Sequence, residues 1–415
     1  MGKSGTVKLM PQKGFAHIFI VIALVAVGLI IFLFIKNGFS PNSHIGNSPR
    51  SAGGAGGKPD FKQTVGPNCP SGPVFTKIPL DPDKILSVTP LGNLNPPDHT
   101  IPTDHIYLVL KENNEIHPEA SQKVIAPSNV TISTITHTTA KKSGKVFSDD
   151  YSIDFSPCKD IQAKFGHVTK LSPKLFSLVE KNKGDCKTQH PRPEDEYTYC
   201  NIELNEKIPA GEELGEAGGG TPTGLDFWAI DLRAKELVYA NPKRYNSHQL
   251  HTVCPLDLFE PSQKAILSSK FGKYEKKRTI EPLCGQINQD IAGTAQGNWT
   301  TAEGYIDKPE AWSKSLALVH DNVDPTIGIV SIGGTIGSPT KIQFTPTSSG
   351  NINRDFNQVK DQQIYCYGGQ SVGINSKQSG RVLIQLEDQS KLKVEYQNGT
   401  CQDNFQFTSP ATYNR

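Results

Sequence analysis

The chain has 415 residues and carries 43 Lys and Arg against 41 Asp and Glu, a net charge of +2. So even a balance removes the electrostatic case for a nucleic-acid partner. None of the eight cysteines forms a C-x-x-C pair, which argues against zinc ribbons and thioredoxin-like chemistry.

In chain order, Lys3, Lys8 and Lys13 precede an uncharged stretch from Gly14 to Ile35, which Lys36 closes. That stretch contains no Pro and is long enough to cross a bilayer as one helix. With the lysines on its short N-terminal side, residues 1–13 are expected in the cytoplasm and everything after the span outside. No small-x-small cleavage site follows, so residues 14–36 read as an uncleaved signal anchor in a single-pass cell-membrane protein. The competing reading is a pilin-type leader cut between Gly14 and Phe15, with Phe19 where that pattern wants Glu. Residues 37–73 are rich in Gly, Ser, Asn and Pro and read as a flexible tether.

The remaining stretch of about 340 residues is too long for one ordinary core and suggests two domains, 74–285 and 286–415. A short apolar run predicts a strand at Ile106–Leu110, and period-2 alternation predicts strands at Val130–Ile135, which Val124–Pro127 leads into, and at Tyr151–Phe155. Helices are expected only at Pro173–Lys181 and Glu260–Phe271. Strands return at Thr326–Ile332, Lys341–Phe344, Gln363–Tyr367, Arg381–Glu387 and Lys391–Tyr396, as in an antiparallel sandwich or barrel. The fold class is therefore all-β. The cysteines lie on the exported side, where an even count argues for disulfides. Cys254 with Cys284 and Cys366 with Cys401 are the expected pairs, and buried free thiols are the alternative.

Residues 203–245 carry the most specific pattern. A strand delivers the turn Ile208-Pro209-Ala210-Gly211, a short strand follows to Gly215, and a Gly-rich loop (Gly218, Gly219, Gly220) leads to Thr223-Gly224-Leu225-Asp226-Phe227-Trp228. Asn241-Pro242 and Tyr245 close the segment. Its order resembles the C-terminal half of lysostaphin-type zinc endopeptidases, which cut peptide cross-links in bacterial cell walls. Three further blocks resemble the same family over residues 85–245: Pro102–Tyr107, Val124–Val130 and Phe165–Leu171. The resemblance implies stacked antiparallel sheets around a groove, a frame that also serves non-catalytic proteins.

Carried over residue by residue, the resemblance implies a degenerate metal site. His105 takes the first ligand position, but Val109 falls where an Asp is wanted. Asp226 falls where the second His of the His-x-His motif is wanted, and Gly224 where the first is wanted. His167 matches the remaining catalytic His. Hydrolytic zinc needs three protein ligands and an open position for water, so the standard peptidase site cannot form from these residues. A remodelled metal set of His99, His105 and Asp226 is the alternative, with His167 as catalytic proton carrier and zinc as the cofactor.

Trp228 and Trp299 are the candidate ligand-groove residues. Trp299 follows Gly297-Asn298, which suits an exposed stacking platform, although a buried Trp ending a turn is the commoner outcome in that context. Asn298-Trp299-Thr300 also fits a glycosylation acceptor. The expected function is a non-catalytic envelope protein without a cofactor, binding peptidoglycan or a partner envelope protein. The alternative is a metal-dependent cell-wall endopeptidase. A pilus-like structural subunit is a third class, tied to leader processing.

Overall fold

The computed structural model describes residues 66–110, 121–182, 184–219, 224–306, 308–372, 380–402 and 404–415, all within one compact unit spanning Gly57–Arg415. The expected membrane span at 14–36 lies outside the described residues, as do 37–65 of the expected tether and Gly220–Thr223 of the Gly-rich segment. Among the described residues no helix is long and apolar enough to cross a membrane.

The first sheet has ten strands: β1 (Ile85–Thr89), β2 (His105–Leu110), β3 (Gln122–Ile125), β4 (Val130–Lys142), β5 (Lys145–Cys158), β6 (Ile161–Leu171), β7 (Asp185–Gln189), β8 (Asp195–Ile208), β9 (Glu213–Ala217) and β10 (Gly224–Asp231). Its main path runs β1-β2-β10-β6-β5-β4-β8-β7, and β9 bridges β3 to β6. All of these pairings are antiparallel.

Strand pleating divides the work of this sheet, because successive side chains point to opposite faces. On one face Ile106, Leu108, Phe155, Phe165, Leu225 and Phe227 are almost completely buried. They pack on Phe75 and Phe259, with the Phe75 ring 5.2 Å from Phe259 and 5.8 Å from Phe227. These two phenylalanines come from opposite ends of the domain, clamped where Val74 and Phe75 donate to the Leu258 carbonyl. The other face carries His105, Tyr107, Lys164, Asp226 and Trp228.

Helix α1 (Pro173–Lys181) begins where the Ser172 hydroxyl accepts from the Leu175 amide and Pro173 presets the first turn. Helix α2 (Pro261–Ser268) follows β10 and is shorter than the expected Glu260–Phe271. A two-strand hairpin, β11 (Gly272–Lys273) and β12 (Lys276–Lys277), comes next.

The second sheet has nine strands: β13 (Gly297–Thr300), β14 (Ser315–His320), β15 (Gly328–Ile332), β16 (Thr340–Phe344), β17 (Tyr365–Gly368), β18 (Gln370–Val372), β19 (Arg381–Asp388), β20 (Lys391–Gln397) and β21 (Ala411–Asn414). Their order is β17-β19-β20-β21-β13-β14-β15-β16-β18, again antiparallel. Trp299, Phe356, Tyr367 and Tyr413 fill its core.

Four disulfides tie the chain: Cys69–Cys158, Cys186–Cys200, Cys254–Cys284 and Cys366–Cys401. The first corrects the expected extent of the tether. Residues 66–73 belong to the folded body, because Lys159 donates to the Pro67 carbonyl and Arg233 to the Pro70 carbonyl beside the Cys69–Cys158 bridge. Breaking that bridge with Cys69→Ser and Cys158→Ser, which frees a separation of 89 residues, should cost about 2–5 kcal/mol. Denaturant unfolding of the non-reduced protein measures this loss, and an unchanged midpoint would show that residues 66–73 add nothing to the body.

Candidate functional site

Asp226 sits at the centre of the polar face. Its carboxylate Oδ2 lies 3.2 Å from His167 Nε2 and 3.6 Å from His105 Nε2. The sheet register brings these residues together. In β10, Asp226 stands opposite Tyr107 of β2 on one side and Gly166 of β6 on the other. Trp228 stands opposite His105 and Lys164.

His167 reaches Asp226 because β6 is irregular at that point. The pairing with β5 shifts between Tyr151 and Ile153, and His167 takes a φ of 61°, in the left-handed region. Such bulges re-aim a side chain out of the ordinary alternation. The turned ring places Nδ1 2.7 Å from Asp150 Oδ2 while Nε2 faces Asp226. Burial alone would lower the pKa of His167, but the Asp226 charge and the hydrogen bonds to both carboxylates outweigh it and push it up to about 10. Both ring nitrogens therefore carry protons at neutral pH. Burial resists ionisation of Asp226, yet the His167 and His105 rings hold its pKa below the ordinary carboxylate value.

His105 is almost fully buried, and its Nδ1 lies 3.0 Å from Asp104 Oδ1. The Trp228 indole N–H donates to the same Asp104 oxygen at 2.6 Å, and the Trp228 ring lies 4.0 Å from the His105 ring. Gly166 makes room for that indole, since a Cβ there would come within 2.8 Å of Trp228 Cζ3. His105 Nε2 is buried without a hydrogen-bond partner. His99 comes from the loop before β2, where Asn95 and His99 exchange backbone hydrogen bonds. Its ring lies 5.6 Å from that of His105. Burial first, and the neighbouring His105 second, lower the pKa of His99 to about 4, so it is neutral at ordinary pH.

The sequence candidates His99, His105, His167 and Asp226 thus lie in one cluster. Among the described residues, however, no three His, Cys, Asp or Glu side chains are arranged to hold a metal ion. Val109 lies further along β2, opposite Gly224 and beyond Tyr107 from Asp226. The acidic partner of His105 is Asp104, the residue just before it.

A cavity of about 330 Å³ opens beside this cluster, within the lower part of the range of about 300–1,000 Å³ usual for ligand sites. Trp228, Tyr239, Tyr245 and Trp312 supply aromatic walls, and His248, Gln249 and Asn298 supply polar ones. Four buried polar atoms on its lining make no hydrogen bond: Thr103 Oγ1 and Asn298 Oδ1, and also Asp98 Oδ1 and His105 Nε2, which face Arg192 and Asp226 at 3.4 and 3.6 Å. Asp154 and Lys164 pair across the floor at 3.3 Å.

Trp299 is not a groove residue. It is fully buried in the second core, its indole N–H donates to the Ala295 carbonyl, and the Arg415 guanidinium lies 4.2 Å above its ring. Its neighbour Asn298 is also buried, with its amide N–H donating to the Tyr245 hydroxyl, so the folded chain does not present it for glycosylation.

Sequence reasoning missed Asp150, the role of Asp104, and the wall formed by Tyr239, Tyr245, His248 and Trp312. The Asn241-Pro242 turn with Tyr245 was visible as a motif, but its place in the cavity wall was not. No protein-family model, curated protein or solved structure matches the chain.

Raising the His167 pKa in the folded state above its unfolded value of about 6.5 stabilises the fold. That contribution is complete below the unfolded value and is lost as pH rises through about 10. Wild-type protein should therefore lose more stability between neutral pH and about pH 10 than His167→Gln does. Chemical unfolding across that interval measures the difference, and parallel curves would refute the charge lock. At neutral pH, His167→Gln should itself cost about 1–3 kcal/mol, because it strands the buried Asp226 carboxylate.

Proposed function

We propose that this chain is a membrane-anchored envelope protein whose lysostaphin-like domain binds rather than cuts. Its ligand is a fragment of cell-wall peptide or glycan held in the cavity beside Trp228. The observation that carries this reading is the mutual neutralisation of Asp226 and His167. A general base must have a free lone pair near the reacting water, and His167 has both ring nitrogens committed to carboxylates. Asp226 is paired with His167, and the Trp228 ring covers His105. The reacting groups of a peptidase are here consumed by one another.

The aromatic walls and unpartnered polar atoms support a binding role. Buried donors and acceptors left open on a cavity lining favour a ligand that completes them. An aromatic wall offers large contact area at low entropic cost. The anchor belongs to the same proposal, through the lysine-flanked apolar stretch at 14–36 and four disulfides, which suit an oxidising compartment.

One observation favours the metal-dependent alternative. Asp104 bonds His105 Nδ1 and leaves Nε2 open, the arrangement in which a carboxylate orients a metal-bound imidazole. The donor arrangement argues against zinc there. His105 Nε2 and His167 Nε2 both face the Asp226 carboxylate, but His167 is engaged with it as an ion pair and the described residues hold no three-donor metal arrangement, whereas hydrolytic zinc uses three.

Purified wall fragments and their disaccharide-peptide units test the proposal. Calorimetry should show saturable binding to the wild type, weakened about tenfold or more by Trp312→Ala, the cost of losing roughly one aromatic anchor. The fragments should be recovered uncut. Absence of binding, or release of cleaved cross-links that disappears in His105→Ala, would overturn it.

A further inference from the structure

A second cavity, of about 340 Å³, lies away from the Asp226 cluster, where the β11–β12 hairpin faces the edge of the second sheet. Lys273, Lys276 and Lys341 all line it, and the single lining carboxylate is Asp321. That carboxylate is already engaged, since its Oδ1 accepts from the backbone amides of Val323 and Asp324. Lys276 pairs with Asp324 at the rim, at 3.1 Å.

The other two lysines are half-buried; their hydrogen bonds go to neutral oxygens, and the one carboxylate acting on both, Asp321, is shared between the two cations. Lys341 Nζ donates to the Leu94 carbonyl at 2.7 Å, and Lys273 Nζ to Asn93 Oδ1 at 3.4 Å. Neither forms a salt bridge among the described residues, and each ammonium keeps further N–H donors to offer. Two partly desolvated cations beside one another are costly unless a counter-charge completes them. Burial, and then the Lys273 charge, push the pKa of Lys341 down to about 8.

We propose that this cavity is an oxyanion site that takes the phosphate group of a phosphate ester, seated between the Lys273 and Lys341 ammonium groups. Phosphate is favoured over carboxylate because two ammonium groups on the lining match the roughly double negative charge of a phosphate ester, and lysine binds phosphate as a point charge. Space remains for the esterified group. Tyr274 stands at this edge, 55% exposed and in the left-handed region with a φ of 53°, so its ring is available to that group. This site is independent of the binding role assigned to the Trp228 cavity.

The test is titration of the full-length protein at constant ionic strength with inorganic phosphate, glycerol 3-phosphate and acetate, followed by calorimetry. Phosphate should bind saturably, and Lys341→Met and Lys273→Met should each weaken it about tenfold, the loss expected for one charge-assisted hydrogen bond. Without phosphate, each variant should melt at or above the wild-type temperature, because it relieves like-charge repulsion. Should either variant fold poorly, Lys276→Gln at the exposed rim supplies the comparison, with a smaller loss of phosphate affinity. Tighter binding of the ester than of inorganic phosphate, lost in Tyr274→Ala, would place the esterified group against that ring. Equal titrations in wild type and variants, or acetate binding as well as phosphate, would overturn the proposal.

Discussion

The buried carboxylate of Asp226, held between the imidazoles of His167 and His105, is the constraint on which the polar face of the first sheet depends. An isolated carboxylate at that depth would be expelled or protonated. It persists because β6 bulges at His167 and turns an imidazolium toward it, while Asp150 holds the far side of the ring. Asp104 plays the matching part for His105 and also receives the Trp228 indole. Two carboxylate–imidazole units thus meet at Asp226.

The same pleat that creates this polar face supplies the core that supports it. Phe227 lies between Asp226 and Trp228 in sequence and points to the opposite side, into the cluster with Phe75, Phe165 and Phe259. A shift of one residue in the β10 register would exchange the two sets, so core packing fixes the site geometry. Tyr245 links the two sheets chemically, with its hydroxyl reaching Asp290 and accepting from Asn298 at the start of β13. Burial pushes the Asp290 pKa up to about 6 despite the hydrogen bonds it accepts.

Much of the fold was legible in the sequence because alternation and capping are local. The run Val130–Ile135 announced β4, and Ser172-Pro173 announced the start of α1. The two disulfides with separations of 30 and 35 residues were expected, whereas Cys69–Cys158, which spans 89, was not. His105, His167 and Asp226 were singled out by the resemblance and His99 by its place six residues before His105, and the fold brings the four close together. Asp150 was not singled out, because its contact with His167 depends on a bulge that breaks the alternation. Trp299 misled for a related reason. Gly297 and Asn298 suggest an exposed turn, but Gly297 is glycine because a Cβ would come within 2.4 Å of Asp290 Oδ1, deep in the structure. The Tyr239, Tyr245 and Trp312 wall comes from segments outside the first sheet, so no local pattern could assemble it.

The central claim is that the Asp226 cluster is closed by its own charges. Zinc titration of the purified protein at neutral pH, beside a His105→Ala, Asp226→Ala double variant, tests it most directly. The account predicts no stoichiometric zinc in the protein as isolated and no saturable uptake that distinguishes wild type from variant. Stoichiometric zinc that is lost in the double variant would contradict it, and would show that the cluster opens to hold a metal.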